Sequence, residues 1–395
     1  MSAALLSKLK WTPVGLFGIA VIHYLASIHP AYDATTQLAS KLKPASWSPS
    51  STAGLELDAW SSRVKGSRPA ANTTVRANAA FVMLTRNGDL WDMLRSIRSM
   101  EDRFNSRYNY PYVFLNEVPF DDQFIKHTTA LCSGKTYYGL VSNDDWKVPD
   151  SIDRDRAAQV RYQMQQDGVI YGGSESYRQM CRFESGYFFR QPLLDQFDYY
   201  WRIDPNVKFF CDLDYDPFMF MQQHNKTYGF TISLYEYKET IKTLWDTTKD
   251  FMKAHPEHIA RNNMIDWLQK DDGTYNLCHF WSNFEIGKLD FFRSQAYLDY
   301  FNYLDQAGGF YYERWGDAPV HSIAVSLMQE KNQLHFFSDI GYRHEPFQHC
   351  PNGRETDPAR CDCNPNSSDN FEWHGYSCTA LYHKLQGTGK TIDNH

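Results

Sequence analysis

The chain has 395 residues, a formal net charge of −7 and an aromatic content of 16%. This length allows one large domain with an N-terminal extension. Nucleic acids are bound by clustered lysine and arginine, so a sequence without a basic block argues against a nucleic-acid partner, whereas a single nucleotide can still be bound. The many aromatic residues indicate surfaces on which sugar-like ligands stack, although a large core would use them too.

The first thirty residues carry the pattern of a membrane anchor. Residues 11–28 contain no charged side chain except the titratable His23, and a helix of this length spans roughly 27 Å. Lys8 and Lys10 precede this segment, which predicts a cytosolic tail at residues 1–10 and a lumenal remainder, the type II arrangement. A cleaved signal peptide is the alternative, but no convincing small-residue cleavage site follows.

The composition changes twice after the predicted anchor. Residues 29–76 are rich in serine, threonine, alanine and proline, which is typical of a stem. Globular patterning begins near Ala79, so residues 77–395 are predicted to form the folded domain.

Three sequons, at Asn72, Asn225 and Asn366, support a lumenal location. In an oxidising lumen the eight cysteines indicate disulfides, with the connectivity left open. A zinc site at Cys361 and Cys363 is the alternative, and the lack of a matching cysteine pair disfavours it.

Hydrophobic periodicity predicts a mixed α/β sandwich. Residues 80–84 form an apolar strand, apolar residues recur at helical spacing over 90–104, and residues 112–115 form a second strand. A strand, an amphipathic helix and another strand in close succession open a parallel sheet. The later predicted elements are a strand at 228–234, a helix at 241–252, a helix that begins at Asp317 and a strand at 334–337.

Three stretches place polar side chains at the ends of hydrophobic elements, where α/β folds bind their ligands. The first reads YYWRIDP at residues 199–205, an aromatic strand that presents Arg202 and Asp204 on one face before Pro205 ends the ladder. Asp204 can hold a divalent ion that bridges two phosphates, with Arg202 paired to charge nearby. An ordinary Asp-Pro turn is the alternative.

The second stretch places Glu285 among aromatic residues, with Trp281 and Phe284 as its neighbours. Burial there requires a partner or raises the pKa of Glu285, which is therefore a salt-bridged structural group or a carboxylate that faces a sugar. The third stretch, GGFYYERWGDAP at 308–319, leads to a helix start at which Asp317 caps the helix or contacts a ligand. Downstream, His344 follows a strand, and histidine with aspartate suits manganese.

From about Ala79 to Cys378, these stretches resemble the fungal α-1,2-mannosyltransferases of glycosyltransferase family 15, a family of type II Golgi proteins. Several long motifs occur in order: SYRQMCRF at 176–183, YWR at 200–202, YGFT at 228–231, NLCHFWSNFEI at 276–286, GGFYYERWGDAPVHS at 308–322 and FSDIGY at 337–342. Such a set is far more specific than one short motif.

The resemblance implies a GT-A-type nucleotide-sugar-binding fold, a mixed sheet flanked by helices, with residues 77–395 as the catalytic glycosyltransferase domain. It also implies a GDP-mannose donor and a Mn²⁺ ion. The implied reaction is transfer, with retention of configuration, to a 2-hydroxyl of a mannose-terminated, protein-linked glycan in the Golgi lumen.

The resemblance also implies roles for individual residues. Asp204 and His344 match metal-binding positions, Arg86 and Asp204 match donor-binding positions, and Glu285 matches the proposed nucleophile. The remaining active-site positions are matched by two carboxylates and two polar groups, Asp317, Glu236, Tyr177 and Arg202. Asp204 stands where the family usually has a glutamate, which is longer by one methylene.

Two other classes of protein are compatible with the same features. A glycoside hydrolase would also use two carboxylates and aromatic platforms, but it would need neither a metal nor a nucleotide. A mannan-binding lectin would bind the glycan without turnover. The sequence leaves open whether the acceptor is O-linked or N-linked.

Overall fold

The computed structural model describes residues 75–352, 360–372 and 374–388. The predicted cytosolic tail, the anchor at 11–28, almost all of the stem and the sequon at Asn72 lie outside these residues. Within the described part of the chain, no helix is long and apolar enough to cross a membrane.

The strands of the described residues form three sheets. In chain order they are β1 (Ala79–Leu84), β2 (Tyr112–Asn116), β3 (Thr136–Leu140), β4 (Tyr199–Ile203), β5 (Lys208–Phe209), β6 (Tyr228–Phe230), β7 (Ser233–Tyr235), β8 (Cys278–Phe280), β9 (Phe284–Lys288), β10 (Leu334–Phe336), β11 (Tyr342–His344) and β12 (Phe347–His349).

The largest sheet has seven strands in the order β10-β6-β9-β4-β1-β2-β3. Its neighbours pair in parallel, except that β9 runs antiparallel to both β4 and β6. Two small antiparallel sheets accompany it, one formed by β5, β11 and β12 and one formed by β7 and β8. The prediction of a mixed α/β fold is therefore confirmed.

Helices of seven or more residues lie between the strands and, in one case, after the last strand. They are α1 (Leu90–Met100), α2 (Asp122–Leu131), α3 (Arg154–Gln166), α4 (Glu175–Gly186), α5 (Pro217–Gln223), α6 (Leu244–Ala254), α7 (Gln295–Ala307), α8 (Asp317–Met328) and α9 (Thr379–Gln386). Helix α8 is buried along its length apart from Ala318, which fits a sequence that is apolar all round the helix. This buried helix holds Asp317 in its first turn and His321 one turn later.

The core consists of two apolar layers, one on each face of the large sheet. Alternate residues of β1 divide between them: Ala80 and Val82 belong to one layer, and Phe81 and Met83 to the other. This alternation follows from the two-residue period of a strand. Both faces are covered, as expected for a largely parallel sheet whose central strands are mostly apolar.

Most predicted elements are confirmed, with one correction. The strands predicted at 80–84, 112–115 and 334–337 correspond to β1, β2 and β10, and the helix predicted from Asp317 is α8. The single strand predicted at 228–234 is wrong, because this run forms β6 in the large sheet and β7 in a small one. Both pieces are buried, so the apolar pattern continues across the break.

Disulfides link the C-terminal region to the rest of the fold. The three pairs are Cys211–Cys361, Cys278–Cys378 and Cys350–Cys363, whereas Cys132 and Cys181 are free thiols. Because Cys361 and Cys363 each have a disulfide partner, they form no zinc site. The sequon asparagines among the described residues, Asn225 and Asn366, are exposed.

Candidate active site

Two neighbouring cavities open beside the large sheet. The first has a volume of about 450 Å³ and the second about 500 Å³, and both are lined by Tyr171, Tyr177, Met180, Arg202 and Asp204. The first cavity lies where parallel strands end, because its lining includes the residues that follow β1, β2 and β4. Ligands of open α/β sheets bind at this carboxyl edge.

Arg86 and Thr85 line the first cavity directly after β1. The Nε atom of Arg86 donates to Oε1 of Glu117, 3.1 Å away, and about half of the Arg86 side chain is exposed. The hydroxyl of Thr85 is buried and has no hydrogen-bond partner among the described residues. A buried polar atom without a partner is costly, so this edge of the cavity is suited to a polar ligand.

Arg202 connects two carboxylates between the cavities. Its Nε and Nη2 atoms donate to the two oxygens of Asp204 at 2.8 and 3.2 Å. Its Nη1 atom donates to Oδ2 of Asp317 at 2.7 Å, and the hydroxyl of Ser282 donates to the same oxygen at 2.7 Å. The structure thus brings together Arg202, Asp204 and Asp317, three of the residues predicted from the sequence.

Of the two interpretations of Asp317 that the sequence left open, the helix cap is wrong. Gly316 occupies the N-cap position of α8, and Asp317 is the first helical residue, with its carboxylate turned to Arg202 and Ser282. Burial alone would raise the pKa of Asp317, but the charges of Arg202 and His321 and the two hydrogen bonds outweigh it, so the pKa is lowered. Asp317 is therefore a carboxylate that holds Arg202 in place.

His344 lies at the end of β11 and lines the second cavity with Asp204. Its Nδ1 atom is 2.9 Å from the carbonyl oxygen of Glu345. A carbonyl oxygen only accepts, so Nδ1 carries the proton and Nε2 keeps a free electron pair. A histidine fixed in this tautomer by a carbonyl is typical of metal ligands. The donor set of an imidazole nitrogen and a carboxylate fits Mn²⁺, with further ligands left to a substrate.

Glu236 and Tyr177 complete the predicted set around the second cavity. Oε1 of Glu236 accepts from the backbone N–H of Tyr237 at 2.7 Å and lies 3.7 Å from Nη2 of Arg314. The guanidinium of Arg314 also lies over the ring of Tyr177, 5.2 Å from its centre, and burial raises the pKa of Tyr177. Within the described residues, Nε of Arg314 is buried without a hydrogen-bond partner, which again suits a polar ligand.

Glu285 is fully buried and lines neither cavity. The hydroxyls of Tyr200 and Tyr228 donate to its two oxygens, each at 2.8 Å. The sequence suggested Trp281 and Phe284 as its surroundings, but Phe284 belongs to the apolar layer on the opposite face of the sheet. Adjacent residues of a strand point to opposite faces, so Glu285 faces the layer that contains Tyr200 and Tyr228.

His321 is the ionic partner of Glu285. Its Nδ1 atom is 3.0 Å from Oε2 of Glu285, and its Nε2 atom is 3.0 Å from the carbonyl oxygen of Glu184. The carbonyl only accepts, so Nε2 is protonated, and a proton on Nδ1 makes the ring a cation. Burial alone would lower the pKa of His321, but the charge and the hydrogen bond of Glu285 raise it.

Sequence reasoning missed Glu184 and His321. Glu184 is buried, lines the first cavity, and has its pKa raised to about 8 by burial. It lies one residue beyond the motif quoted at 176–183. His321 lies four residues after Asp317, the spacing that places two side chains on one face of a helix, so this periodicity could have identified it.

Comparisons with family models and with individual proteins identify the same family. Residues 51–387 match the family described as glycolipid 2-alpha-mannosyltransferase, glycosyltransferase family 15. Glycolipid 2-alpha-mannosyltransferase 1 of Candida albicans is 55% identical over 312 residues, which are 78% of this chain and 72% of the relative. Alpha-1,2 mannosyltransferase KTR1 of Saccharomyces cerevisiae is 54% identical over 315 residues, which are 79% of this chain and 80% of the relative.

A solved structure shows the same fold. Core-mannan synthase A of Aspergillus fumigatus, in its Mn/GDP form, superimposes with a TM-score of 0.72 and 44% identity, over 75% of this chain and 82% of that one. The family match at residues 51–387 includes every strand of the sheet and the residues that line both cavities. The chain therefore belongs to the glycolipid 2-alpha-mannosyltransferase family, glycosyltransferase family 15.

Proposed function

We propose that the chain is a retaining α-1,2-mannosyltransferase that moves mannose from GDP-mannose to the 2-hydroxyl of an acceptor mannose. One observation carries the proposal: Asp204 lines both cavities, and the second cavity also contains His344 with a free Nε2. A cation held by these two residues would lie between a nucleotide site and an acceptor site. The Mn/GDP form of the related core-mannan synthase A supports this choice of metal and nucleotide.

The first cavity is the proposed site of the nucleotide end of the donor. It lies at the carboxyl edge of the parallel strands, and Arg86 and Thr85 offer it a guanidinium and an unpaired hydroxyl. When bound, Mn²⁺ would neutralise the diphosphate and stabilise its charge as it leaves.

The charge of the surrounding residues favours a bound cation. Arg202 and His321 supply two positive charges, and Asp204, Asp317 and Glu285 supply three negative charges. A cluster with an excess negative charge attracts a divalent ion.

The position of Glu285 bears on how configuration is retained. A double displacement needs a carboxylate against the anomeric carbon, whereas both oxygens of Glu285 accept hydrogen bonds inside the core. We therefore favour attack by the acceptor hydroxyl on the same face as the leaving phosphate. Glu285 then does not contact the substrate. Its negative charge stabilises the transition state from inside the core, whereas Arg202 and Asp317 line the cavities.

The second cavity is the proposed acceptor site. Trp281 and Phe347 line it, and Tyr237, which is half exposed, lies at the same cavity. Aromatic faces of this kind support stacking of sugar rings. The proposed acceptor is a mannose-terminated, protein-linked glycan, O-linked or N-linked.

The proposed location is the Golgi lumen. We assign residues 1–10 to the cytosol, 11–28 to a single-pass anchor, 29–76 to a stem and 77–395 to the catalytic domain. The disulfides and the exposed sequon asparagines support an oxidising, lumenal environment for the domain.

Radiolabel transfer from GDP-mannose to methyl α-mannoside tests the proposed function. We expect an α-1,2-linked disaccharide whose formation requires Mn²⁺ and stops when a chelator is added. Cleavage of a mannose glycan without nucleotide or metal would instead identify a glycoside hydrolase. Glycan binding without any transfer would identify a lectin.

A further inference from the structure

A second group of metal-binding side chains lies away from both cavities. His255 precedes the short turn Pro256–His258 after α6, His258 ends this turn, and Asp299 belongs to α7. One ligand atom from each of the three residues lies within 4.8 Å of the others, and none of the three lines either active-site cavity. Among the residues that the structure describes, no other group of three histidine, cysteine or acidic side chains brings its ligand atoms this close together.

We propose that His255, His258 and Asp299 form a binding site for a zinc-type divalent cation. Nε2 of His258 is 2.9 Å from Oδ2 of Asp299. Ligand atoms at about 2.0–2.1 Å from a tetrahedral ion lie about 3.3 Å apart, so this pair would open slightly on binding an ion. The ligand atom of His255, which lies within 4.8 Å of the other two, would adjust to the same spacing. Two imidazoles with one carboxylate favour zinc over Mn²⁺ or Mg²⁺, which prefer oxygen ligands.

A fourth ligand is close to the two rings. Oε1 of Glu257 lies 3.2 Å from Nδ1 of His255 and 4.0 Å from Nε2 of His258. Glu257 is mostly exposed, so it can move toward an ion at little cost. It would complete four-coordination, the usual number for a structural zinc ion.

The surroundings hold the three ligands in place. Gln295 donates to Oδ1 of Asp299 at 2.7 Å, which leaves Oδ2 directed at His258. The ring of Phe251 packs against both imidazoles, with ring centres 4.9 Å from His255 and 6.1 Å from His258. Oriented ligands on an apolar base are typical of metal sites. A bound ion would join the end of α6 to α7 and stabilise the fold.

The number of zinc ions bound at this site is best measured in a chain that lacks the active-site metal ligand His344, because that site could also bind zinc. We would treat the His344→Ala chain with chelator, dialyse it against micromolar zinc and measure the bound zinc by atomic absorption. We expect about one zinc per chain, and none after adding His258→Gln or Asp299→Asn. A matched control adds His224→Gln, which changes an exposed histidine at the end of α5 and should leave the zinc bound.

Thermal unfolding provides a second measurement on the same chains. Zinc should raise the Tm of the His344→Ala chain and of its His224→Gln control by about 2–4 °C, and should leave the two cluster variants unchanged. Comparing each variant with and without zinc separates binding from any loss of stability caused by the substitution. The proposal would be overturned if the His344→Ala chain bound no zinc, or if the added His258→Gln or Asp299→Asn substitution left the amount of bound zinc unchanged.

Discussion

Oε2 of Glu285 lies 3.0 Å from Nδ1 of His321, and both side chains have no solvent-exposed surface. The two residues come from β9 and α8, so this ion pair connects the antiparallel strand of the sheet to the helix that also presents Asp317. The carboxylate also accepts from two tyrosine hydroxyls. Charge and hydrogen-bonding capacity are both satisfied, which is the condition for burying a charged pair.

Loss of His321 should destabilise the fold strongly. In His321→Ala the carboxylate of Glu285 stays buried without its counter-charge, which we expect to lower the free energy of unfolding by about 3–5 kcal/mol. Denaturant titration measures this. Adding Glu285→Gln removes the stranded charge, so the double variant should lose less than the sum of the two single losses. Additive losses would contradict a direct ion pair.

The substitution Glu285→Gln should separate catalysis from binding. The amide keeps the shape of the carboxylate and can still hydrogen-bond to His321, so the fold is retained while the negative charge of Glu285 is lost. We expect turnover to fall by about 10²–10³-fold with GDP affinity nearly unchanged, because the charge acts mainly in the transition state. Steady-state kinetics and GDP titration measure the two quantities. Near-normal turnover would rule out an electrostatic role.

Mass spectrometry of the wild-type chain during turnover distinguishes the two routes to retention. We expect no mannosyl adduct on Glu285, because its oxygens face the core. A trapped adduct on that residue would establish double displacement instead.

Glu184 should make stability depend on pH. Its carboxyl titrates near 4.5 in the unfolded chain and near 8 in the folded chain. Between these values the unfolded chain releases a proton that the folded chain keeps, so unfolding becomes more favourable as the pH rises. Glu184→Gln cannot ionise. Its stability relative to wild type should therefore increase from pH 5 to pH 8 in parallel denaturant titrations, and a constant difference would contradict the raised pKa.

The disulfides should differ in their contribution to stability. The bond between Cys278 and Cys378 closes a segment of 100 residues, whereas the bond between Cys350 and Cys363 spans 13. A longer closed loop restricts the unfolded chain more. The double substitution Cys278→Ser, Cys378→Ser should therefore lower the free energy of unfolding by about 1–2 kcal/mol more than the double substitution Cys350→Ser, Cys363→Ser. Equal losses in denaturant titration would show that loop length does not decide the effect.

The sequence predicted the sheet and the residues at its edge well, for physical reasons. Strands such as β1 and β2 are local apolar runs, and the strand that holds Arg202 and Asp204 ends at a proline. Polar residues at such ends meet at one edge of a parallel sheet. The grouping of Arg202, Asp204, Asp317 and His344 around two adjoining cavities therefore follows from motifs that are far apart in the chain.

Contacts between distant segments of the chain could not be predicted from the sequence. The partner of Glu285 comes from a helix 36 residues away, and nothing in either segment alone reveals the contact. The same holds for the break between β6 and β7, since both halves are apolar and only their strand partners differ. Asp317 resembles a helix cap by position, and only the approach of Arg202 redirects its carboxylate.

The most direct test of the account is the binding of Mn²⁺ and GDP to the His344→Ala chain, measured by calorimetry beside wild type and His224→Ala. His344 offers its free Nε2 to the second cavity, whereas His224 is exposed at the end of α5. We predict that His344→Ala weakens Mn²⁺-dependent GDP binding at least tenfold and reduces mannose transfer with it, while His224→Ala matches wild type. Unchanged Mn²⁺ dependence in His344→Ala would contradict the proposed metal site.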